Sequence, residues 1–572
     1  MKRTVFLFII LWSGFSHLGV SAQKIEDSKA QEKAAFILEK KEIEALKAKE
    51  LIEVLNQIPG VSADNYGVRI QGSSEKEVMV IMDNRPLSNP STGYVTLVGI
   101  PASNIERIEI IKGAGAAAYG NNTSGGVILI TTVGAQKGVQ GSIEISYGTY
   151  GTQLYRGTLN HGREKDAFSL ILYYERSRPS PPYNKSDEGS LRFNLNRQIE
   201  KDRALALSGH YYGGKFDLAG PTYAPTPNAE SEGSDWSSAI LFSCKDFTSN
   251  TYYNGWHDDY KDSDIPLRSE FTSHVMGQDV KTGVKIPSLK DTVIGLNGEH
   301  HYITSNNFGD CRENQGHLAV TSGIHWLGMD WGLGLRTSYY SAFDWGFNPE
   351  FSLSCPKKNY TLTLNINRSH NTPSARERFY EGTFHKANPD LDMEKATNLS
   401  LGLAATCKEI SANLTFFYRK ITDGIIYAKR GDYYQYINEA NMVRKGMDMG
   451  FAAPLGKYLK IDLTYQYLIA ENEDTDKTIP FAPRHKVKGS LIANLDDFTV
   501  VLRGDYSGKY FEDRLNERQL DACFVADLRL SYQWKSLDMY LEVKNLFDNQ
   551  YEKKIGYPAW YRRVFLGCVY AF

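Results

Sequence analysis

The stretch IERIEIIKGAGAAAYGNNTSGGVILITT, residues 105–132, contains two β-branched runs separated by glycine-rich sequence. The first run extends from Ile105 to Ile111 and the second from Val127 to Thr132. β-branched residues favour strands, whereas closely spaced glycines mark turns. The stretch therefore predicts a strand, a turn with a small-residue connector, and a second strand.

The residues before this stretch predict a helix and a further strand. Apolar residues at positions 51, 54, 55 and 58 have helical spacing, and Pro59 with Gly60 ends the helix. An apolar run from Val78 to Met82 then leads into Asp83 and Asn84, residue types that tolerate a positive φ in a tight turn. Together these segments predict a small α/β unit.

The motifs of this unit occur in a definite order: LIEVLNQIPGV (51–61), VRIQG (68–72), VMVIMDNRPL (78–87), IPASNIERIEIIKG (100–113), AYG (118–120) and GGVILITT (125–132). In this order they resemble the plug domain of TonB-dependent outer-membrane receptors, over residues 35–133. The resemblance implies an α/β plug inside the lumen of a transmembrane β-barrel of about 22 antiparallel strands. It also implies two partners, which are TonB with its inner-membrane energising complex and a small metal-chelate ligand.

The N-terminus has the pattern of a secretory signal peptide. Basic residues at positions 2 and 3 precede an apolar run, and the small residues of Val20-Ser21-Ala22 predict cleavage after Ala22. The predicted domains are a signal peptide (1–22), a periplasmic N-terminal segment (23–34), the plug (35–137) and the barrel (138–572). By the resemblance, segment 23–34 contacts TonB, although it lacks the apolar-threonine pattern of the family's TonB box. A solvated charged linker is the alternative.

The composition of the chain is typical of a transmembrane β-barrel. Of 572 residues, 36 are Tyr, 26 are Phe and 8 are Trp, yet the mean hydropathy is −0.41. Barrel strands alternate lipid-facing apolar residues with lumen-facing polar residues, so their hydropathy averages out. This pattern excludes a helical membrane protein, and the resemblance implies contact with the outer-membrane lipid of a Gram-negative bacterium. The net charge of −2 gives no reason to expect a nucleic-acid partner.

Period-two alternation begins near Val139 and continues to the C-terminus. The 434 residues from 139 to 572 (572 − 138) provide about 20 residues for each of 22 strands and its connection, which predicts strands of roughly 9–11 residues. The last strand places Tyr570 and the terminal Phe572 on one face. Such a terminal aromatic resembles the signal read by the outer-membrane barrel-assembly machinery, which is a further expected partner.

The candidate ligand site lies where the outward loops of the plug and barrel are expected to meet. The plug loop from Pro86 to Tyr94 offers Asn89, Ser91 and Tyr94 as hydrogen-bonding groups for a neutral or weakly charged ligand. The alternative is a solvated loop that makes no contact with a ligand.

Two histidines are candidate iron ligands for a haem. His370 and His385 precede an Asn-Pro-Asp-Leu segment, and a histidine on an outer loop is what a haem receptor would use as an iron ligand. The alternative is chance placement among the 12 histidines of the chain.

Polar residues of the plug are candidates for a gate against the barrel wall, and they are Arg69, Gln71, Glu106 and Arg107. Gln71 occupies a position where the family has an arginine. In an extended strand Arg69 and Gln71 would share one face, so Arg69 is expected to replace the missing charge. Hydrogen bonds and ion pairs suit a gate because they can be broken without exposing a hydrophobic core.

Two further groupings suggest a calcium site and a disulfide. The acidic run of Asp258, Asp259, Asp262 and Asp264 offers the carboxylates that calcium prefers, with a solvated outer loop as the alternative. The six cysteines show no CxxC spacing, which argues against zinc. Cys244 and Cys311 are candidates for a bridge between outer loops, although sequence alone leaves the pairing open.

The sequence contains no nucleophile elbow, zinc-protease motif or phosphate loop, so we expect neither an enzyme nor a cofactor. The resemblance implies an energy-coupled importer of a scarce metal complex, such as a ferric siderophore or cobalamin. The alternatives are a haem receptor of the same fold and a surface binding or adhesion barrel without active import. A surface lipoprotein is a further candidate partner.

Overall fold

A computed structural model describes residues 36–65, 67–113, 115–133, 138–265, 267–382 and 384–572. The expected signal peptide (1–22) and the expected TonB-contact segment (23–34) lie outside these residues. The described chain forms a small N-terminal domain, which we call the plug, enclosed by a closed β-barrel.

The plug contains seven strands and three short helices. The strands are β1 (Phe36–Glu39), β2 (Val61–Asp64), β3 (Gly67–Ile70), β4 (Val78–Met82), β5 (Arg85–Pro86), β6 (Ile105–Lys112) and β7 (Gly126–Thr132). The helices are α1 (Lys40–Ala45), α2 (Leu51–Leu55) and α3 (Ala116–Tyr119). Five of the strands form one sheet in the order β1-β6-β7-β4-β5, and β2 pairs with β3 in a separate hairpin.

The stretch 105–132 forms the centre of the plug sheet. β6 and β7 pair antiparallel, and α3 occupies the predicted small-residue connector. β4 joins β7 in parallel, and Asp83 and Asn84 form the predicted turn with φ of 48° and 63°. Ile108, Ile110 and Ile128 are fully buried with the apolar side of α2 in one hydrophobic core. The α/β unit predicted from the sequence is therefore confirmed.

The barrel wall consists of 22 long strands, each antiparallel to its neighbours. They are β8 (Gly138–Gly148), β9 (Thr152–Gly162), β10 (Asp166–Ser177), β11 (Lys185–Glu200), β12 (Arg203–Leu218), β13 (Ala229–Cys244), β14 (Phe247–Asp262), β15 (Leu267–Val284), β16 (Lys290–Ser305), β17 (Gly309–Trp326), β18 (Met329–Tyr340), β19 (Asp344–Pro356), β20 (Tyr360–Asn371), β22 (Glu394–Cys407), β23 (Ile410–Arg430), β24 (Tyr433–Pro454), β25 (Leu459–Asn472), β27 (His485–Leu495), β28 (Phe498–Ser507), β31 (Cys523–Trp534), β32 (Leu537–Lys544) and β35 (Arg563–Ala571).

One short helix and several short strands lie at one rim of the barrel wall. They are α4 (Ala375–Phe379), β21 (His385–Lys386), β26 (Lys477–Thr478), β29 (Tyr510–Phe511), β30 (Gln519–Leu520), β33 (Glu552–Lys554) and β34 (Tyr557–Pro558). We call the rim that carries them the outer rim. The opposite rim, where β8 begins and β35 ends, is the inner rim. β35 pairs with β8 and closes the barrel.

The strands are more unequal than the predicted 9–11 residues. They range from 8 residues in β32 to 22 residues in β24. The prediction was wrong for most strands: β11 to β17 contain 16–18 residues each, paired along nearly their whole length. The longest strands form the hairpin of β23 and β24, which continues past its neighbour β25, whose pairing with β24 stops at Met442. The projecting part forms a wall at the outer rim.

Alternation along the strands separates the two surfaces of the barrel. Tyr570 and Phe572 are 49% and 50% exposed and stack with ring centroids 6.1 Å apart, as expected for one face of the last strand. Among the described residues, no helix is long and apolar enough to cross a membrane.

The suggested bridge between Cys244 and Cys311 is wrong. Cys244 ends β13 at the inner rim, whereas Cys311 lies at the start of β17 near the outer rim. All six cysteines are free thiols. Successive strands run in opposite directions, so two turn-proximal residues of similar sequence context can lie at opposite ends of the barrel.

Candidate functional site

The apex of the plug is the loop Pro86–Tyr94, which points towards the outer rim. Tyr94 is 49% exposed, so its phenol ring is open to the outside of the plug. Partial desolvation raises the pKa of Tyr94, the Glu75 carboxylate adds to the rise, and Arg376 and Arg69 oppose it. Tyr94 therefore lies among charged groups of both the plug and the barrel loops.

The side chains of Asn89 and Ser91 in this loop already have hydrogen-bond partners within the protein. Asn89 donates from Nδ2 to Asp258 Oδ2 (3.4 Å) and accepts the Ser91 amide at Oδ1 (2.9 Å). Ser91 is fully buried, and its hydroxyl contacts the Ser273 hydroxyl on β15. Both side chains fasten the apex loop to the barrel wall, which differs from the direct ligand contact predicted for them. A sequence pattern cannot reveal a partner 180 residues away.

An outer loop of the barrel covers this apex. In the connection between β20 and β22, Ser374 caps α4 through the amide of Glu377. The amides of Ala375 and Arg376 donate to the carbonyls of Pro90 (3.3 Å) and Ser91 (3.1 Å). The cap aligns the start of α4 with the apex loop, so the two segments form one layer.

His385 follows on the same outer loop, within a group of tyrosines. Its ring centroid lies 5.1 Å from that of Tyr380, 5.2 Å from that of Tyr427 and 5.5 Å from that of Tyr436. His385 Nδ1 pairs with the Tyr427 hydroxyl at 3.0 Å, and Nε2 is buried without a partner in the described part of the chain. Burial lowers the pKa of His385, and Arg376 lowers it further, so the imidazole is neutral at pH 7.

Arg376 acts electrostatically on both Tyr94 and His385, and we call the region between them the vestibule. Three of its cations are paired, Arg69 with Glu75, Lys76 with Glu377 at 2.7 Å and Arg378 with Glu313, whereas Arg376 lies over the Tyr380 ring, 5.6 Å from the centroid. Pairing cancels most of their long-range field. The vestibule therefore suits a large ligand of little net charge that can stack on aromatic rings.

His370 does not belong to the vestibule. It lies in β20 rather than on an outer loop, it is buried, and its Nδ1 pairs with Asn348 Oδ1 at 2.6 Å. The expectation of an outer-loop position is thus wrong for His370, because the strand continues one residue beyond it.

The calcium candidates do not converge. Asp258, Asp259 and Asp262 lie in β14, where neighbouring side chains point to opposite faces. Asp259 pairs with Arg268, and Asp264 accepts from Asn228. Among the described residues no group of three or more His, Cys, Asp or Glu side chains could hold a metal ion. The suggested calcium site is therefore not formed.

One fully buried contact between the plug and barrel centres on Glu77. Its carboxylate receives two hydrogen bonds from Arg444 (2.9 and 3.1 Å) and lies 3.9 Å from Arg419. All three side chains are buried. Burial alone would raise the pKa of Glu77, but Arg444 and Arg419 outweigh it, so the pKa lies below its ordinary value.

A second contact centres on Asp448 of β24. The Lys112 ammonium lies 3.2 Å from its carboxylate, and Gln71 donates to the same oxygen at 2.9 Å. Gly60 has a φ of +72°, and a Cβ at this position would lie 2.3 Å from the carboxylate. The PG pair that ends the predicted helix therefore also leaves room for Asp448.

Three further ion pairs fasten the N-terminal side of the plug. Lys49 lies 2.7 Å from Glu542 on β32, and Glu53 lies 3.4 Å from Lys544 on the same strand. Glu50 pairs with Arg156 on β9. The contacts of Glu77, Asp448, Lys49, Glu53 and Glu50 together form what we call the anchor.

The predicted gating residues are distributed differently. Gln71 does contact the barrel, but Arg69 pairs with Glu75 inside the plug. Their expected shared face is wrong because β3 ends at Ile70 and Gln71 has a φ of 54°. Arg107 pairs with Glu39 at 3.1 Å and with Glu109 at 2.9 Å within the plug sheet. Glu106 is exposed beside it.

Sequence reasoning missed Glu77 and Lys112, although each had a local signal. Ser74 and Glu77 form a capping box, which fixes the Glu77 side chain beside the following strand. Lys112 interrupts an apolar run at the end of β6 and is buried. A charged residue at a position that its strand buries requires a partner.

Comparisons with known proteins agree with this architecture. Two family models match: "TonB-dependent Receptor Plug Domain" over residues 27–127 and "TonB dependent receptor-like, beta-barrel" over residues 134–546. Similar curated proteins include the vitamin B12 transporter BtuB of Photobacterium profundum, which is 23% identical, with 94% of this chain and 92% of that protein covered. BtuB of Vibrio cholerae is 24% identical over the same shares.

Similar solved structures include the ferric enterobactin receptor PfeA of Pseudomonas aeruginosa, with a TM-score of 0.78 and 16% identity over 94% of this chain and 99% of that chain. The siderophore receptor PirA of Acinetobacter baumannii has a TM-score of 0.80 and 14% identity over 97% and 100%. These structures share the fold. Because the barrel model alone matches most of the chain, this protein belongs to the TonB-dependent receptors of the Gram-negative outer membrane.

Proposed function

We propose that this receptor imports a compact metal complex of little net charge, with a cobalamin-type corrinoid as the first candidate. The observation that carries the proposal is the vestibule, where Tyr94 and the His385 aromatic group surround Arg376 and where the neighbouring cations Arg69 and Lys76 are already paired. Aromatic rings provide contact area at a low cost in side-chain entropy, and paired charges make no demand for a counter-charge on the ligand.

The charge argument favours a corrinoid over a ferric catecholate siderophore. A catecholate chelate of ferric iron is strongly anionic, and a site for it needs cations without protein partners. The vestibule offers Arg376, which lies over the Tyr380 ring, but places Lys76 and Arg378 in ion pairs with Glu377 and Glu313. The full-length similarity to proteins named vitamin B12 transporter supports the same choice.

The mechanism follows from the anchor and vestibule. A ligand on Tyr94 contacts the apex loop, which the wall holds by hydrogen bonds, while the plug sheet is held by ion pairs. We propose that TonB pulls on segment 23–34 and rearranges the plug, so that the ligand passes without covalent change. The signal peptide 1–22 would direct export, and the terminal Phe572 would be read by the barrel-assembly machinery.

The binding and uptake experiment described below distinguishes this function from three alternatives. A siderophore receptor would take up a ferric chelate. A haem receptor would use His385, whose Nε2 is buried without a partner in the described structure. A binding or adhesion barrel would hold a ligand, or a surface lipoprotein, without import.

The test compares binding and uptake by cells that express the intact protein. The probes are radiolabelled cyanocobalamin, ferric enterobactin and haem, each with and without a proton-gradient uncoupler. We expect cyanocobalamin uptake that falls to background with the uncoupler while surface binding persists. Uptake of a different probe would reassign the ligand, and binding of all probes without energy-dependent uptake would contradict import.

We expect Tyr94→Ala to weaken cyanocobalamin binding about tenfold, because stacking on one aromatic ring contributes roughly 0.5–1.5 kcal/mol beyond the buried area. His385→Ala should change it less than about threefold, because a buried imidazole offers the ligand little direct contact. Equilibrium binding to the purified protein measures both. The matched control is Tyr458→Ala, which removes a 46% exposed tyrosine at the inner rim. Loss of haem binding in His385→Ala would instead support the haem alternative.

A further inference from the structure

A recess lies on the outward surface of the barrel wall, on strands β14 to β17. It has a volume of 350 Å³ and is lined by Tyr253, His274, Met276, His300, Tyr302 and Arg312. The residues next to two of these, Asn254 on β14 and Ser273 on β15, contact the plug inside the barrel. Because successive side chains point to opposite faces of a strand, Tyr253 and His274 face away from the lumen.

The pairing of the strands brings the lining residues onto one face. His274 lies directly opposite Tyr302 on the next strand, and Tyr302 lies opposite Arg312. The other three lining residues occupy the adjacent row towards the inner rim. Residues directly opposite each other on paired strands share a face and have Cβ atoms about 4.5–5.5 Å apart. The six side chains therefore form one continuous patch on the outside of the barrel.

The rings of this patch hold one another in a fixed arrangement. The His274 and Tyr302 rings stack with centroids 6.1 Å apart and an interplanar angle of 12°. His274 Nδ1 pairs with the Tyr253 hydroxyl at 2.7 Å, and the Arg312 guanidinium lies over the Tyr302 ring, 5.0 Å from its centroid. Trp236 on β13 extends the row, with its ring edge-on to His274 at 6.0 Å. The recess is therefore shaped by the protein itself, before any ligand is present.

Arg312 provides a positive charge without a carboxylate partner. It is exposed, and it forms no salt bridge within the described residues. Asp310, two residues away, instead accepts a hydrogen bond from the Tyr302 hydroxyl at 3.2 Å. By contrast, Arg268 on β15 is paired with Asp259 at 2.9 Å. A free guanidinium presents a fork of N–H donors that matches the oxygens of a phosphate.

The recess lies beyond the apolar band of the outward surface. Along β17 this band begins at Trp326, which is 59% exposed at the inner rim, and continues through Val320 and Leu318. Arg312 lies 14 positions from Trp326 (326 − 312), which at about 3.3 Å per residue and a tilt of about 40° corresponds to a height of about 35 Å. The apolar band of such a barrel is about 25 Å tall. The recess therefore lies at the level of the outer-leaflet head groups.

We propose that this recess binds the phosphorylated head group of a glycolipid in the outer leaflet. Arg312 binds the phosphate, the row of aromatic rings packs against the sugar, and Met276, which is 61% exposed, contacts the start of the acyl chains. An aromatic girdle is an ordinary feature of a membrane barrel, but it explains neither the recess nor the unpaired arginine within it. The site faces the lipid, so the proposal is independent of the ligand that the receptor imports.

The test measures glycolipid binding to the intact receptor, purified and delipidated in a neutral detergent. The probes are bis-phosphorylated lipid A and the same lipid after enzymatic removal of its phosphates, and native mass spectrometry counts the molecules bound. We expect Arg312→Gln to weaken binding of the phosphorylated lipid at least tenfold, because hydrogen bonds between charged groups are the strong ones. The matched control is Arg268→Gln, which removes an outward-facing arginine that is already paired and should change binding less than twofold.

Two further variants separate a direct role in binding from a structural one. Arg312→Lys keeps the charge and should recover most of the affinity lost in Arg312→Gln, whereas Asp310→Asn removes a neighbouring negative charge and should strengthen binding. Circular dichroism checks the strand content of each variant. Equal affinity of the unmodified protein and Arg312→Gln, or equal affinity for the two lipids, would overturn the proposal. Displacement of the lipid by millimolar inorganic phosphate alone would likewise overturn it, because the site would then be one for the free ion.

Discussion

Glu77→Gln should release the plug from its seat in the lumen. The substitution keeps the side-chain volume but leaves Arg444 and Arg419 buried without their carboxylate partner. Breaking a buried ion pair from one side costs about 3–5 kcal/mol, which corresponds to a factor of roughly 10²–10³ or more in the docking equilibrium. Hydrogen exchange of the β6 and β7 amides should accelerate accordingly, and cells should admit an antibiotic that is too large for porins.

The matched control for this prediction is Glu75→Gln. Glu75 lies two residues away and pairs with Arg69, whose side chain is 39% exposed, within the plug itself. A pair that is partly exposed to solvent contributes about 0–1 kcal/mol, so exchange and permeability should stay near those of the unmodified protein. Equal effects from both substitutions would mean that the buried contact with Arg444 does not hold the plug.

The Glu77 contact also has a defined pH dependence. Because the folded pKa lies below the ordinary value of 4.5, its stabilisation is complete above that value and is lost as pH falls through the folded pKa. The seal of the unmodified protein should thus persist at pH 5. In Glu77→Gln this part of the acid sensitivity should be missing, because the neutral amide has no proton to gain.

Deletion of residues 23–34 should abolish uptake to background while ligand binding at the cell surface persists. In the function proposed above, TonB engages the chain before the plug, and the vestibule residues lie at the outer rim. Deleting the segment on which TonB is proposed to pull therefore removes the energy input without altering the ligand site. Parallel uptake and binding assays on whole cells measure the two properties separately.

A matched control replaces residues 23–34 with a Gly/Ser segment of equal length, which keeps the spacing but removes the side chains. If this variant also loses uptake, the sequence of the segment is required, and not only its length. Retained energy-dependent uptake after the full deletion would show that TonB engages another part of the chain. Loss of binding together with uptake would indicate a folding defect rather than uncoupling.

Local sequence patterns predicted the fold because the residues within each strand, helix or turn specify that element. The β-branched runs around Gly113 and Gly126 became β6 and β7, and the DN pair at 83 and 84 became a turn with positive φ. The period-two alternation predicted the barrel, and the order of the motifs predicted the plug. The strand lengths differed, since how far a strand extends, as in the projecting hairpin of β23 and β24, depends on its neighbours in the barrel.

The candidate site was less accessible to sequence reasoning. Tyr94 was identified, and the structure leaves its ring open to the vestibule. Asn89 and Ser91 were chosen for the same chemistry, but Asp258 and Ser273 already engage them. Whether a polar side chain is free or occupied depends on residues far away in the chain, and no local spacing records that.

The sequence by itself determined that this chain is an exported barrel with an α/β plug, because strand periodicity, glycine placement and terminal aromatics are local properties. Only the tertiary structure decided how the plug is held. Glu77 meets Arg444 across 367 residues, and Lys112 meets Asp448 across 336. Such pairs are set by the register of the closed barrel around the plug, so the charged anchor exists only in the folded protein.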